Sequence, residues 1–291
     1  MGTSGAGTMN KPLVSPKAVK RARKVSYHVV MQTLLFGVGL LYIFPLVWMV
    51  ATSLKAPNDY NFFPSVPQWE NYANALKYIP FWNLVKNSVI ITSLATIGVT
   101  VSTSLVSYSF AKLRWPGRDI IFIVLLGTMM LPSQVLQIPT YILFKNFGWL
   151  NTILPLTVPF FFNPGAFNIF LLRQFYRGVP LELSEAAKID GCSELRSCFT
   201  IVMPLCKPII SSIAIFAFMG SWNDFMGPLI YLGDPKSATL SLGLRDFFRQ
   251  SGTMWNYMMV IALISMIPTL TLFFTCQKYF VSGLTMGGVK E

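Results

Sequence analysis

Charge is what this sequence has least of. Asp, Glu, Lys and Arg together make up 12% of its 291 residues, against about a quarter in an ordinary soluble domain. With 53% hydrophobic residues, there is too little polar surface to clothe a single aqueous core, which excludes a conventional soluble globule. Histidine is almost missing. His28 is the only one, so a Ser/His/Asp set and an H-E-x-x-H zinc helix are excluded. The cysteines, Cys192, Cys198, Cys206 and Cys276, have no metal-ligand spacing. They fall in apolar runs or on the side that charge assigns to the cytoplasm, where disulfides are disfavoured. Cysteines and histidine alike read as structural filler. No G-x-x-x-x-G-K-[ST] loop is present, so the chain is expected neither to hydrolyse ATP nor to bind a cofactor of its own.

What the chain does have is long apolar runs. A hydrocarbon layer of roughly 30 Å needs about 20 mostly apolar residues per helix, and six stretches qualify: Val29 to Leu54, Leu84 to Phe110, Ile120 to Phe144, Thr152 to Leu172, Pro208 to Leu232 and Asn256 to Phe280. They are apolar nearly all round, unlike the striped helices of a soluble bundle. The first run is too long for a secretory h-region and no small-residue cleavage site follows it, so it is expected to stay. The fold class expected is an all-α polytopic membrane protein with six transmembrane helices.

Basic residues outnumber acidic ones 23 to 11, and their placement sets orientation. Lys11 to Lys24, the second-to-third connection with Lys112, Arg114 and Arg118, the fourth-to-fifth connection with Arg173, Arg177, Lys188, Arg196 and Lys207, and the tail with Lys278 and Lys290 hold most of them. Both termini and the long fourth-to-fifth connection are therefore expected in the cytoplasm. Topology and anionic lipid account for this basic excess, and no nucleic-acid-reading motif accompanies it. The division expected is a disordered basic arm over 1–28, with residues 1–10 carrying no function, a six-helix domain over 29–280 containing a cytoplasmic loop over 173–207, and a tail over 281–291.

The third and fourth runs are interrupted, by Pro132, Ser133, Gln134, Gln137 and Pro139 in one and by Pro155, Pro159, Asn163, Pro164 and Gly165 in the other. A proline frees a carbonyl that protein or water must satisfy. These positions are either buried kinks or, with Gln134 and Asn163, the walls of a polar passage. In GSWNDF, Asp224 lies within the fifth run, where a central acid costs roughly 2.5–3.5 kcal/mol to insert, so it must face protein or a wet cavity. Trp222 could stack on a sugar face and Asn223 could bond its hydroxyls; a polar clasp between helices remains the other reading. The connection Gly233 to Trp255 carries Arg245, Asp246, Phe247, Phe248 and Arg249, as a contact surface or a membrane anchor.

The most telling stretch is VPLELSEAAKIDGCSELRSCFTIVMPL, Val179 to Leu205. Pro180 suits a first turn, Ser184 can cap, Ala186 and Ala187 favour helix, Gly191 is a good stop, and Ser193 can start a second helix ending before Pro204. As a mere solvated helix it would show an exposed Glu185 to Lys188 pair. The stretch resembles the cytoplasmic motif of ABC importer permease subunits, E-A-A-x-x-x-G, nine residues, then I-x-L-P: Glu185, Ala186, Ala187, Gly191, Ile201 and Pro204 match, and Met203 replaces the usual leucine. SYSFAKLRWPGR, FNIFLLRQFYRGVP, GSWNDFMGPLIYL and the final QKYFVSGLTMGGVKE resemble the carbohydrate branch, in particular the maltose importer's second permease (MalG-like), with Gly288 and Glu291 departing slightly. The resemblance covers roughly residues 25 to 291.

It implies a permease fold in a bacterial inner membrane and oligosaccharide import, neutral or acidic. It also implies a homologous second permease subunit as heterodimeric partner, two ATPase subunits holding ATP and Mg, and an external sugar-binding protein. Glu185, Ala186, Ala187, Asp190, Gly191, Ile201 and Pro204 would couple to the ATPase, and the Arg245 to Arg249 segment would meet the binding protein. A glycerol-phosphate or polyol importer is the nearest alternative. A secondary transporter would show internal repeats and an ion relay, and here no repeat is evident and only Asp224 could serve.

Overall fold

The computed structural model describes residues 16–248 and 254–285, and among them there is no strand. Helix α1, Pro16–Ser53, is followed by α2, Glu70–Tyr78, and α3, Phe81–Lys112. Next come α4, Arg118–Gly127, α5, Ser133–Asn146, α6, Pro159–Phe162, and α7, Ala166–Gly178. The 173–207 region holds α8, Leu181–Ile189, α9, Glu194–Ser197, and α10, Met203–Leu205. The last third holds α11, Lys207–Trp222, α12, Met226–Tyr231, α13, Leu240–Gly243, and α14, Trp255–Thr285. Residues 286–291, with Gly288 and Glu291, lie outside the described residues.

Four stretches are long and apolar enough to cross a membrane by themselves: Ser26–Ser53, Phe81–Lys112, Leu154–Gly178 and Trp255–Gln277. The third expected span departs from a straight rod. Arg118–Met130 and Ser133–Asn146 meet at 101°, because Pro132 has no N–H to continue the ladder and holds Leu131 extended at ψ 121°. Neither arm alone reaches much beyond 20 Å. The fifth is also broken: α11 ends at Trp222, and Asn223–Phe225 separate it from α12. The arm expected to be disordered is helical from Pro16 onward, so the first span's helix simply continues past the hydrocarbon length through residues of good helix propensity such as Ala18, Lys20 and Arg21.

Helix α3 is the hub, packing against α6, α7, α11 and α13. Its buried face carries Ser88, Thr92, Ser102, Thr103, Ser104 and Ser107, small enough for close approach and able to satisfy backbone groups that broken helices leave open. Ser102 Oγ donates to Phe161 O and Ser107 Oγ to Ile169 O at 3.1 Å, while Ser88 Oγ accepts from Leu240 N at 2.8 Å. In return, Arg173 Nε donates to Phe110 O at 3.2 Å and Lys112 Nζ to Val179 O. At the Ser53 end of α1, the buried Asn71 donates to the carbonyls of Ser53 and Lys55, each at 2.9 Å, and Asn256 reaches Lys55 O at 3.3 Å. Side chains of α2 and α14 thus take up carbonyls that the end of α1 leaves without helical partners.

The core also fixes which glycines tolerate a side chain. A Cβ on Gly243 would lie 2.4 Å from Leu84 Cδ1, in a side chain only 1% exposed. A Cβ on Gly37 would meet nothing within 4 Å. Gly243→Ala is therefore expected to cost about 1–3 kcal/mol through overpacking, whereas Gly37→Ala should be neutral or stabilising by up to about 1 kcal/mol through helix propensity. Thermal unfolding of the detergent-purified variants checks this, and equal midpoints for the two would refute the packing argument.

Candidate functional site

Two regions gather the candidate functional side chains, a polar cavity among the spans and the loop between the fourth and fifth. In the loop, α8 closes in a left-handed turn at Gly191, φ +78°. Gly191 N donates to Lys188 O at 3.1 Å and Cys192 N to Ala187 O at 2.9 Å, the paired bonds of a Schellman cap. Ser193 then caps α9, its Oγ accepting from Arg196 N at 3.3 Å. The second helix does not end before Pro204. A π-turn, Cys198–Val202, leads into α10, where Pro204 occupies a first-turn position that needs no N–H. Ser184, expected as a possible cap, lies inside α8, its buried hydroxyl without a hydrogen-bond partner.

The loop is welded to the spans. Tyr176, Cys198 and Val202 are fully buried in one cluster with Tyr108, Leu172, Val179 and Ile209. Full burial of such side chains is worth roughly 1.5–3 kcal/mol each. The Glu194–Ser197, Cys198–Val202 and Met203–Leu205 turns lie at 90° to α11, across its foot. An ion pair not anticipated from the sequence adds to this weld. Lys188 Nζ holds Glu194 Oε1 at 2.6 Å, and Tyr108 Oη donates to Glu194 Oε2 at 2.9 Å, so α8 and α9 are tied to α3. Lys188 takes Glu194 rather than Glu185 as its partner. Sequence reasoning missed this because the two residues are six apart across a turn, outside the helical spacings that pattern analysis examines. The Lys188 bond, assisted by Tyr108, holds the Glu194 carboxyl below its ordinary range. The tie is intact at neutral pH and is lost as pH falls through that lowered value.

On the opposite face Glu185, Ala186 and Asp190 are exposed and only Ala187 is buried. Among the described residues the Glu185 carboxylate has no hydrogen-bond or ion-pair partner. Ile189 beside it is 88% exposed, with Leu195 and Phe199 also uncovered. Ile201 is half-buried and Pro204 exposed.

The cavity has a volume of about 470 Å³ and is walled in part by Ser88 and Thr92 of α3, Asn163 and Asn168 at the α6–α7 break, and Ser221 and Asp224 at the α11–α12 break. Among the described residues its wall contains one carboxylate and no Lys or Arg. Of the residues proposed for a passage, Asn163 and Asp224 are there. Trp222 is not: it is buried, stacked on Phe218, with Nε1 donating to Ser265 O of α14 at 2.9 Å. Asn223 turns back to Met219 O at 2.8 Å, and Gln134 is exposed on α5. Asp224 Oδ1 accepts from Gly227 N at 3.1 Å, so it caps the restarted helix α12 while facing the cavity. Ser88, Thr92, Asn168 and Ser221 went unread because isolated hydroxyls and amides in apolar runs pass for packing residues.

The segment after α12 is pinned to α3, with Asn87 Nδ2 donating to Lys236 O and Ala238 O, both at 2.9 Å. Arg245, Asp246 and Phe248 are exposed at its far end and border a recess of about 510 Å³ with Tyr78, Ile79 and Pro80. Phe247 is fully buried and stacked on Tyr78, so it anchors the segment rather than presenting a surface. Arg249 lies outside the described residues.

Comparison with known proteins agrees with this geometry. AraQ of Bacillus subtilis, an arabinooligosaccharides transport system permease protein, is 30% identical over 274 residues covering 91% of this chain and 96% of AraQ. DasC of Streptomyces coelicolor, a diacetylchitobiose uptake system permease protein, is 33% identical over 253 residues, 85% of this chain and 92% of DasC. A chain from the crystal structure of a bacterial ABC transporter involved in import of the acidic polysaccharide alginate superposes with a TM-score of 0.79 at 20% identity, covering 93% of this chain and all of that one; the fold is shared. The family of binding-protein-dependent transport system inner membrane components matches residues 96–286. The chain belongs to that family, as a multi-pass permease component of an ABC importer and not itself an enzyme.

Proposed function

We propose that this chain is one of two homologous transmembrane subunits lining a single path for an oligosaccharide, in the cytoplasmic membrane of a bacterium, with both termini and the 173–207 loop inside. The observation that carries the reading is an exposed α8 face, with an unpaired Glu185, that is rigidly joined to the helices walling a polar cavity. Two ATPase subunits, holding ATP and Mg, dock beneath the permease pair, one of them on that face, and a sugar-binding protein meets Arg245, Asp246 and Phe248 on the other side. ATPase closure moves α8, and the Tyr176 cluster and the Glu194 tie carry the motion to α3, giving alternating access. Relatives named for arabinooligosaccharides and diacetylchitobiose support a sugar. The cavity's hydroxyls and amides suit sugar hydroxyls, and its lone carboxylate with no cation favours a neutral oligosaccharide over an acidic sugar or a phosphorylated polyol.

Orientation is testable with single introduced cysteines. Positions 60 and 245 are expected to react with an impermeant reagent applied outside intact cells, and position 194 only after the membrane is opened. Labelling at 194 from outside would invert the topology.

Coupling is testable at α8. Removing the Glu185 carboxylate forfeits a sheltered charge-assisted bond to a partner cation, worth roughly 1.5–3 kcal/mol. A β-branched residue at 191 is forced into a left-handed conformation at about 1–2 kcal/mol, though no atom obstructs it. Glu185→Ala and Gly191→Val should leave the chain inserted, lower ATPase copurification at least tenfold and abolish uptake. Normal recovery and uptake in both would reduce α8 to a surface helix.

Asp224 separates path from cap. Asn at 224 keeps an oxygen for Gly227 N and removes the charge, whereas Ala removes both. Asp224→Asn should assemble normally yet transport poorly, with ATP hydrolysis weakly stimulated by sugar-loaded binding protein. Full transport by Asp224→Asn beside failed assembly of Asp224→Ala would leave only the capping role.

A further inference from the structure

Where α3 hands over to α4, Arg118, Arg173 and Arg177 gather around a single acid, Asp119, and Arg114 lines a recess beside them. That acid is already engaged: Arg118 Nε and Nη2 meet its two oxygens at 3.0 and 3.2 Å, and Arg173 Nη2 stands 3.6 Å from Oδ1. Arg173 is itself built in, with 7% exposure, its guanidinium 3.9 Å above the Phe122 ring and Nε bonded to Phe110 O. Arg177 is exposed and within electrostatic range of Arg173 and Asp119. Arg114 is exposed and has no ion pair among the described residues. The cluster therefore keeps a cationic excess after Asp119 is neutralised.

A recess of about 400 Å³ opens in it, between Arg114, Trp115, Gly117, Arg118, Asp119 and Ile120. Trp115 is fixed at its side, Nε1 donating to Ser109 Oγ at 3.1 Å. Gly117, φ +83°, turns the chain so that α4 starts at the recess, and first-turn N–H groups add partial positive charge there. From the recess α4 continues with a bare apolar strip, Ile120, Ile123 and Val124, exposed at 70%, 67% and 64%. Cations at the mouth, an aromatic wall and an apolar strip at i, i+3 and i+4 together match one molecule of phospholipid.

We propose that this recess binds an anionic phospholipid, its headgroup phosphate held by Arg114 and Arg118 and an acyl chain lying along Ile120, Ile123 and Val124. A choline headgroup would bring a second cation into an already cationic site, so selection falls on lipids with net negative charge. Free phosphate satisfies the arginines but leaves the strip bare. The site is separate from the sugar cavity and from α8, and nothing in it depends on which sugar is carried.

The test uses the purified transporter containing this chain, in nanodiscs of mixed phosphatidylglycerol and phosphatidylcholine, and reads the lipids that stay bound through detergent washing by native mass spectrometry. Wild type should retain phosphatidylglycerol over phosphatidylcholine by a several-fold ratio. That ratio should collapse in the Arg114→Gln/Arg118→Gln pair and fall partly in Arg118→Lys, which keeps charge but loses the planar fork. Arg114→Gln alone disrupts no ion pair of the fold and should still lower the ratio, which covers any misfolding of the double variant. Arg196→Gln, an exposed cation away from the cluster, should change nothing. Unchanged enrichment in the 114/118 variants, an equal loss in Arg196→Gln, or displacement of the lipid by millimolar inorganic phosphate would each overturn the assignment.

Discussion

The structure depends on one constraint: within hydrocarbon, a helix can be broken only where another part of the protein takes over its hydrogen bonds. Three spans are broken, at Leu131–Pro132, at Asn163–Gly165 and at Asn223–Phe225. At the second break, α3 supplies a partner through Ser102, which donates to Phe161 O, and Asn168 closes on Pro164 O at 2.8 Å. At the third, Asp224 caps the restarted helix. The cavity arises from these solutions. Asn168 and Asp224, which hold backbone groups beside the breaks, also stand in its polar wall, so part of that wall serves the backbone as well.

The same economy governs the loop between α7 and α11. In the proposed coupling role, a part that transmits force needs stiffness on one face and freedom on the other. Stiffness comes from buried Tyr176, Cys198 and Val202 and from the Lys188–Glu194–Tyr108 chain. The Glu185 face is left unpaired. Charge is thereby divided, with Glu194 engaged inside the chain and Glu185 left exposed.

Much of this was legible in the residues. Apolar run length placed the first, second and sixth spans to within a few residues because hydrocarbon thickness leaves little choice, while the fourth runs on to Gly178 and the fifth helix stops at Trp222, short of the expected Leu232; the E-A-A-x-x-x-G spacing marked α8 and its left-handed turn because few residues besides glycine accept that conformation. Pro132 and Pro164 told where the third and fourth spans would break but not by how much, Pro139 sits inside α5 without breaking it, and the break at Asn223–Phe225 carries no proline. Side-chain direction was the least legible. Trp222 and Asp224 are two residues apart, but α11 ends between them, and the turn sends one side chain against α14 and the other into the cavity. Phe247 and Phe248 are neighbours, one wholly buried and one exposed.

The clasp of Asn71 and Asn256 on the carbonyls at the Ser53 end of α1 fastens a helix of 38 residues, about 57 Å long at 1.5 Å per residue, near one of its tips. Within the described chain its long flank is met chiefly by α14. Mechanically this is a boom held at the masthead. A tilt of about 10° at the clasp would carry the opposite tip roughly 10 Å sideways over such a length while stretching the clasp bonds hardly at all, so small adjustments at one surface of the membrane would become large excursions at the other.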